Sequence, residues 1–202
     1  MKFSRFILFA FVFLLSHPIT AFAGESSIAS VEGQVQIIRG SQTLEAKPGM
    51  DVREKDILKT AAGSTVDYSV NKVAGVRLNE SSEEEITSAK DTEMQIKLKS
   101  GKSIINLAKL PAGSKFKVET PTAIAAARGT QFMCAAFGSE SSFAVRDGVV
   151  DVTTFSTGET FSLNPGQGLD VPQDLVAGAL SVRPALGAEL TALDQASSIK
   201  TC

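Results

Sequence analysis

Short runs that alternate apolar and polar residues extend from about Ile28 to Val171, and turn residues interrupt them every ten or so positions. Residues 65–70 and 94–99 alternate most cleanly. Alternation with a period of two is typical of strands that bury one face, because successive side chains point to opposite sides. The pattern predicts an all-β domain, either a sandwich or a short β-solenoid, with about ten to twelve short strands.

The composition changes after Pro172, where alternation stops and Ala, Leu and Gly dominate. Pro184 is placed to open a helix, and Leu186, Leu190 and Leu193 follow at helical spacing. The sequence therefore predicts a C-terminal tail over residues 172–202, irregular or with a short helix within 184–199.

The first residues have the pattern of a secretory signal peptide. Lys2 and Arg5 precede the apolar run 7–15, and residues 21–23 form an A-x-A cleavage site. The apolar run is about half of the roughly 20 residues that a membrane-spanning helix needs. We expect a signal peptide over residues 1–23, cleavage after Ala23, a β domain over residues 24–171, and a periplasmic or secreted protein without a transmembrane segment.

Cleavage would also restrict the available chemistry, because the single histidine, His17, lies inside the predicted signal peptide. Without histidine, Ser-His-Asp and Cys-His catalysis and His-ligated metal sites are excluded. The chain has no Gly-rich phosphate loop, no Cys-x-x-Cys pair and no metal-ligand spacing. We therefore expect no cofactor and no enzymatic activity. Hydrolysis by a pair of carboxylates is the less favoured alternative, since it needs no histidine.

The charge balance argues against nucleic acid as a partner. The formal net charge is -2, and nucleic-acid binding needs clustered Lys and Arg. Basic residues do fall on the polar positions of several strands, and such a face either meets an anionic partner or is simply the solvated side of a sheet. These residues are Lys97, Lys99, Lys102, Lys109, Lys115 and Lys117.

Two cysteines, Cys134 and Cys202, would remain after cleavage. An oxidising compartment permits a Cys134–Cys202 disulfide, which would hold the last residue against the middle of the domain. A buried free thiol at 134 with an exposed one at 202 is the alternative.

One stretch, residues 120–132, is built largely from small apolar residues and carries a single charge, Arg128, next to Gly129. A glycine here permits positive φ or close backbone approach. Arg128 either ties its strand to a neighbouring turn or recognises an anionic ligand or partner. Candidate partners for the structural role are Glu119, Asp147 and Asp151.

Three motifs give the chain a family resemblance. They are Phe116-x-Val118-x-Thr120-Pro121 with Arg128-Gly129-Thr130-x-Phe132, then Val145-x-Asp147-Gly148-Val149-Val150-x-Val152, then Leu163-x-Pro165-Gly166-Gln167. Together they resemble the core of the FecR-type domain, and the resemblance covers about residues 30–171.

The resemblance implies a standalone extracytoplasmic β-domain, a binding or regulatory module that recognises an envelope or extracellular protein or a ligand. A structural component of the envelope or extracellular matrix is the alternative. The motif residues are expected to be chiefly structural. They are Thr120, Pro121, Arg128, Gly129, Thr130, Phe132, Asp147, Gly148, Gly166 and Gln167.

Overall fold

A computed structural model describes residues 26–90, 92–196 and 199. The predicted signal peptide and Cys202 lie outside these residues. The elements in chain order are β1 (Ser27–Glu32), β2 (Val35–Arg39), β3 (Gln42–Glu45), β4 (Ile57–Thr60), β5 (Thr65–Val70), β6 (Ala74–Leu78), β7 (Glu83–Lys90), β8 (Glu93–Leu107), β9 (Lys115–Glu119), β10 (Ala123–Ala127), β11 (Gln131–Phe137), β12 (Glu140–Asp147), β13 (Val150–Thr154), β14 (Thr160–Leu163), β15 (Gln167–Pro172), β16 (Arg183–Pro184) and α1 (Gly187–Gln195).

The strands form two layers. The first sheet has the order β1-β5-β6-β8-β11-β12-β15-β16, and the second has the order β3-β2-β4-β7-β8-β9-β10-β13-β14. The long strand β8 belongs to both, since its first half pairs with β7 and β9 and its second half with β6 and β11. Strand pairing is therefore continuous but open at its ends.

The chain changes layer between hairpins. The β5–β6 and β11–β12 hairpins lie in the first sheet, whereas the β9–β10 and β13–β14 hairpins lie in the second. All strand pairs are antiparallel except β8 with β9. This winding places the turns that follow β10 and β12 at the edge between the two layers.

The apolar positions of the alternating runs fill the space between the sheets. In β5, for example, Val66, Tyr68 and Val70 are fully buried, as the period of two predicts. The all-β class with a short C-terminal helix is confirmed. The described residues contain sixteen strands where the sequence predicts ten to twelve, partly because short pairings such as the two-residue β16 give no pattern to detect.

The tail packs on the domain. Leu175 joins the main core, while Leu193 of α1 packs with Ile104 and Met133 on the outer face of the first sheet. The helix covers Gly187–Gln195, within the predicted interval 184–199.

Candidate functional site

The two most specific turns of the motif pattern contact each other. Arg128-Gly129-Thr130 connects β10 to β11, and Gly148 follows β12. A Cβ atom at Gly148 would lie 2.5 Å from Thr130 Cγ2 and 2.7 Å from the Gly129 carbonyl oxygen. Gly129 and Gly148 have φ of 72° and 78°, a conformation that favours glycine. Residues about twenty positions apart in the sequence thus form one compact corner.

A third segment closes this corner. A Cβ atom at Gly129 would lie 2.9 Å from Lys109 Cα, so the chain after β8 packs directly against the turn. The surface formed here by Lys109, Lys115, Arg128, Asp147 and Val149 is called the turn surface below.

Several motif residues have contacts within the domain. The Thr120 hydroxyl donates to the Ala123 carbonyl oxygen at 2.9 Å, closing the β9–β10 hairpin beside Pro121. Phe132 is fully buried in the core. The Gly166 amide donates to the Val145 carbonyl oxygen at 2.8 Å, and the Gln167 side-chain oxygen accepts from the Asn164 amide at 2.7 Å.

Arg128 does not tie its strand to a neighbouring turn through an ion pair with any of the three candidate carboxylates. It is exposed and forms no ion pair with Glu119, Asp147 or Asp151. Glu119 instead accepts from Lys97 Nζ at 2.6 Å, and Asp151 accepts from the Ser162 hydroxyl at 2.6 Å. The expected pairs do not form because these carboxylates are already bonded or, like Asp147, point to solvent.

Arg128 is also exceptional among the arginines. Every other arginine in the described part of the chain forms an ion pair with a carboxylate. These pairs are Arg39–Asp56, Arg53–Asp51, Arg77–Asp67, Arg146–Asp194 and Arg183–Asp170. Arg128 is thus the one arginine of this part whose guanidinium remains available to a partner.

Two clefts meet at Arg128 and Gly129. One, of about 480 Å³, is also lined by Lys115, Val149 and Asp151. The other, of about 420 Å³, is also lined by Lys109, Asn106 and Asp147. Each cleft therefore contains a lysine and an aspartate in addition to the shared arginine.

The lysines of the predicted basic face differ in their ion pairing. Lys97, Lys99 and Lys117 form ion pairs with glutamates on neighbouring strands at 2.5 to 3.0 Å. This part of the face is the solvated side of the second sheet. Lys109 is exposed at the turn surface and has no carboxylate within ion-pair distance among the described residues.

Two ionisable groups with strongly raised pKa values lie between the sheets. Glu84 is fully buried, and burial raises the pKa of its carboxyl to about 7. Burial, together with the charge of Glu84, also raises the pKa of the Cys134 thiol well above its usual value. Cys134 is fully buried, and its pairing with Cys202, which lies outside the described residues, stays a prediction.

Sequence reasoning missed the attachment of the tail. Arg183 donates two hydrogen bonds to Asp170 at 2.5 and 2.7 Å and two to Glu189 at 2.8 and 3.0 Å. A cavity of about 430 Å³ lies beside this cluster, between α1 and the first sheet. No periodic signal marks Arg183, because the segment around it has no regular alternation.

Neither a metal-binding cluster nor a membrane-spanning helix occurs among the described residues. No group of three or more His, Cys, Asp or Glu side chains is arranged to hold a metal ion in that part of the chain. No helix among those residues is long and apolar enough to cross a membrane.

Comparison with known proteins agrees with the motif resemblance. Residues 56–151 match the family described as FecR protein. No curated protein matches the chain. Two crystal structures, at 2.50 and 1.65 Å resolution, of a candidate anti-sigma factor from Parabacteroides distasonis ATCC 8503 share the fold, each with a TM-score of 0.58 and 19% sequence identity. Each match covers 69% of this chain but only 64% of that chain, which is less than two thirds.

Proposed function

We propose that this chain, which carries a FecR domain at residues 56–151, is a non-catalytic regulatory module that acts by binding another protein. The observation that carries the proposal is the exposed, unpaired Arg128 at the corner where the two family turns pack together. The other arginines in the described part of the chain form ion pairs with carboxylates of the same chain. Arg128 instead lines two clefts. An arginine in that setting is suited to recognition, since its planar guanidinium can bind a carboxylate through two hydrogen bonds.

Burial of the two shifted groups supports a binding role over a catalytic one. The raised pKa of the Glu84 carboxyl is of the kind that catalytic carboxyls have, whereas the raised pKa of the Cys134 thiol disfavours the reactive thiolate. Both side chains are fully buried. A substrate in solvent would not reach either of them without opening the core.

The regulatory part of the proposal rests on the FecR domain and on the fold shared with the candidate anti-sigma factor. At 19% identity the shared fold does not transfer the activity of that protein, so regulation is our inference for this chain.

We also propose an extracytoplasmic location, based on the signal-peptide pattern of residues 1–23. Cell fractionation with intact-mass analysis tests it. The periplasmic or secreted fraction should contain a chain that begins at Gly24, and a full-length cytoplasmic chain would contradict the location.

Crosslinking of the full-length protein in intact cells, followed by mass spectrometry, tests the binding role. We expect one partner protein in stoichiometric amount. Self-assembly with no other protein would favour a structural component of the envelope or matrix. Turnover of a hydrolase substrate, abolished by a single carboxylate substitution, would contradict the non-catalytic role.

A further inference from the structure

We propose that the turn surface binds an extended polypeptide segment, with an acidic side chain of that segment paired to Arg128. This inference rests on the proposed binding function and specifies the chemistry of the partner. Its evidence is the charge, exposure and shape of the surface around Arg128.

The charge state of Arg128 provides the first argument. Its guanidinium is permanently positive and has five N–H donors in a planar fork. A carboxylate matches this fork geometry, and the same chemistry already satisfies Arg77, which donates to Asp67 at 2.7 Å through two nitrogens. An Asp or Glu side chain of the bound segment would accept hydrogen bonds from Arg128 as Asp67 accepts them from Arg77.

The mixture of charges provides the second argument, because it favours a peptide over a polyanion. Asp147 and Asp151 line the same two clefts as Arg128, Lys109 and Lys115. A nucleic acid or anionic polysaccharide carries negative charge at every repeat and would meet these carboxylates. A polypeptide can place one acidic residue at Arg128 and a neutral or basic residue beside each aspartate.

The apolar component provides the third argument. Val149 is 48% exposed and lines the larger cleft beside Arg128. Protein interfaces combine apolar contacts with arginine anchors, whereas purely ionic ligands gain nothing from an exposed valine. The expected segment therefore carries an apolar side chain near its acidic one.

The shape of the surface provides the fourth argument. The two clefts meet at Arg128 and Gly129 and continue on opposite sides of the turn. A compact ligand would occupy one cleft only. An extended segment can cross the turn, pair with Arg128 at its centre and contact both clefts.

Site-specific photo-crosslinking tests this proposal. The full chain carries p-benzoyl-L-phenylalanine at Val149 and is irradiated in intact cells, and the same group at Val176, which is 71% exposed and lines neither cleft, is the control. We expect Val149 to crosslink to a protein segment containing Asp or Glu. Arg128→Glu should reduce the crosslink about tenfold or more, whereas the surface variant Lys47→Glu should leave it unchanged.

A synthetic peptide that spans the crosslinked segment then serves as the binding probe. Its affinity should fall about tenfold or more for Arg128→Glu, and exchange of its acidic residue for lysine should restore binding to that variant. Arg128→Lys keeps the charge but loses the fork, so it should show an intermediate loss. Thermal unfolding of each variant separates lost binding from lost folding.

The other outcomes overturn the proposal in distinguishable ways. A nucleic acid, lipid or polysaccharide at Val149 would show that the class of partner is wrong. A protein captured equally by wild type and Arg128→Glu, or captured only from Val176, would refute the site and leave the proposed binding function intact. Absence of any partner in the whole-chain crosslinking experiment would refute the binding function itself.

Discussion

The Tyr68 hydroxyl donates a hydrogen bond to the Glu84 carboxylate across the core, from β5 of the first sheet to β7 of the second. Both side chains are fully buried. Burial raises the pKa of Glu84 to about 7, and the bond from Tyr68 only partly offsets it. This contact joins the two layers through a group that ionises near neutral pH.

The first prediction concerns the pH dependence of stability. The folded-state pKa of Glu84 is raised above its ordinary value, so the unfolded chain binds fewer protons between these two values and the free energy of unfolding decreases as pH rises through that interval. A rise from 4.5 to about 7 corresponds to about 3 kcal/mol as an upper limit. Urea unfolding should therefore give a lower free energy of unfolding at pH 8 than at pH 5.

Glu84→Gln isolates this effect, because its side-chain oxygen can still accept from Tyr68 but no longer ionises. The loss of stability between pH 5 and pH 8 should be smaller in this variant by about 2–3 kcal/mol. Glu85→Gln is the matched control, since Glu85 is the next residue and pairs with Lys99 on the outer face. An equal pH dependence in wild type and Glu84→Gln would refute the prediction.

The second prediction concerns the contact between the two motif turns. Gly148→Ala introduces a methyl group at positive φ, 2.5 Å from Thr130 Cγ2 and 2.7 Å from the Gly129 carbonyl oxygen. Strain and overlap should together lower the free energy of unfolding by about 2–4 kcal/mol. Chemical denaturation measures this loss.

Gly158→Ala separates the two contributions. Gly158 has φ of 72°, but nothing lies within 4 Å of its added Cβ atom. Only the backbone strain of about 1–2 kcal/mol should appear there. Equal losses in the two variants would mean that the packing of the turns against each other adds nothing to stability.

The third prediction concerns the attachment of α1 through Arg183. Its hydrogen bonds lower the pKa of Asp170, so this attachment is complete above the ordinary carboxyl range and weakens as pH falls through the lowered value. Arg183→Ala should leave the strands folded and loosen the tail. Amide hydrogen exchange in α1 should accelerate about tenfold or more, while exchange in β11 should change little.

Arg146→Ala is the control for this experiment. Arg146 also pairs with the helix, through Asp194 at 2.8 Å, but both side chains are about half exposed. Exposed ion pairs contribute about 1 kcal/mol or less, so exchange in α1 should change only slightly. If both variants loosened the helix equally, the Arg183 cluster would have no special role.

The alternating pattern predicts the strands well, because burial of one face is a local property of the sequence. The same pattern places Glu84 inside, since it lies two residues before the buried Ile86. That signal is masked by the neighbouring glutamates, which make the segment look uniformly solvated. The partner of Glu84 cannot be predicted, because Tyr68 faces it from the other sheet.

Ion pairs are harder to predict than strands, because they depend on register and on how the layers stack. The carboxylates nearest to Arg128 in the motif pattern are bonded elsewhere or point to solvent, whereas Arg183 finds Asp170 through a two-residue pairing between β15 and β16. Residue type and spacing identify the turns, and the winding of the chain decides which charges meet.

The fourth prediction separates recognition from folding at Arg128. Arg128→Ala should unfold at the wild-type temperature to within about 1 °C, because the side chain is exposed and has no ion-pair partner among the described residues. Arg39→Ala is the comparison, since it leaves the carboxylate of Asp56, which is 1% exposed, without its ion pair at 2.6 Å. That variant should lose about 3–5 kcal/mol. Thermal and urea unfolding of both variants measure the difference in stability. A loss of stability in Arg128→Ala as large as that in Arg39→Ala would show that Arg128 has a structural role.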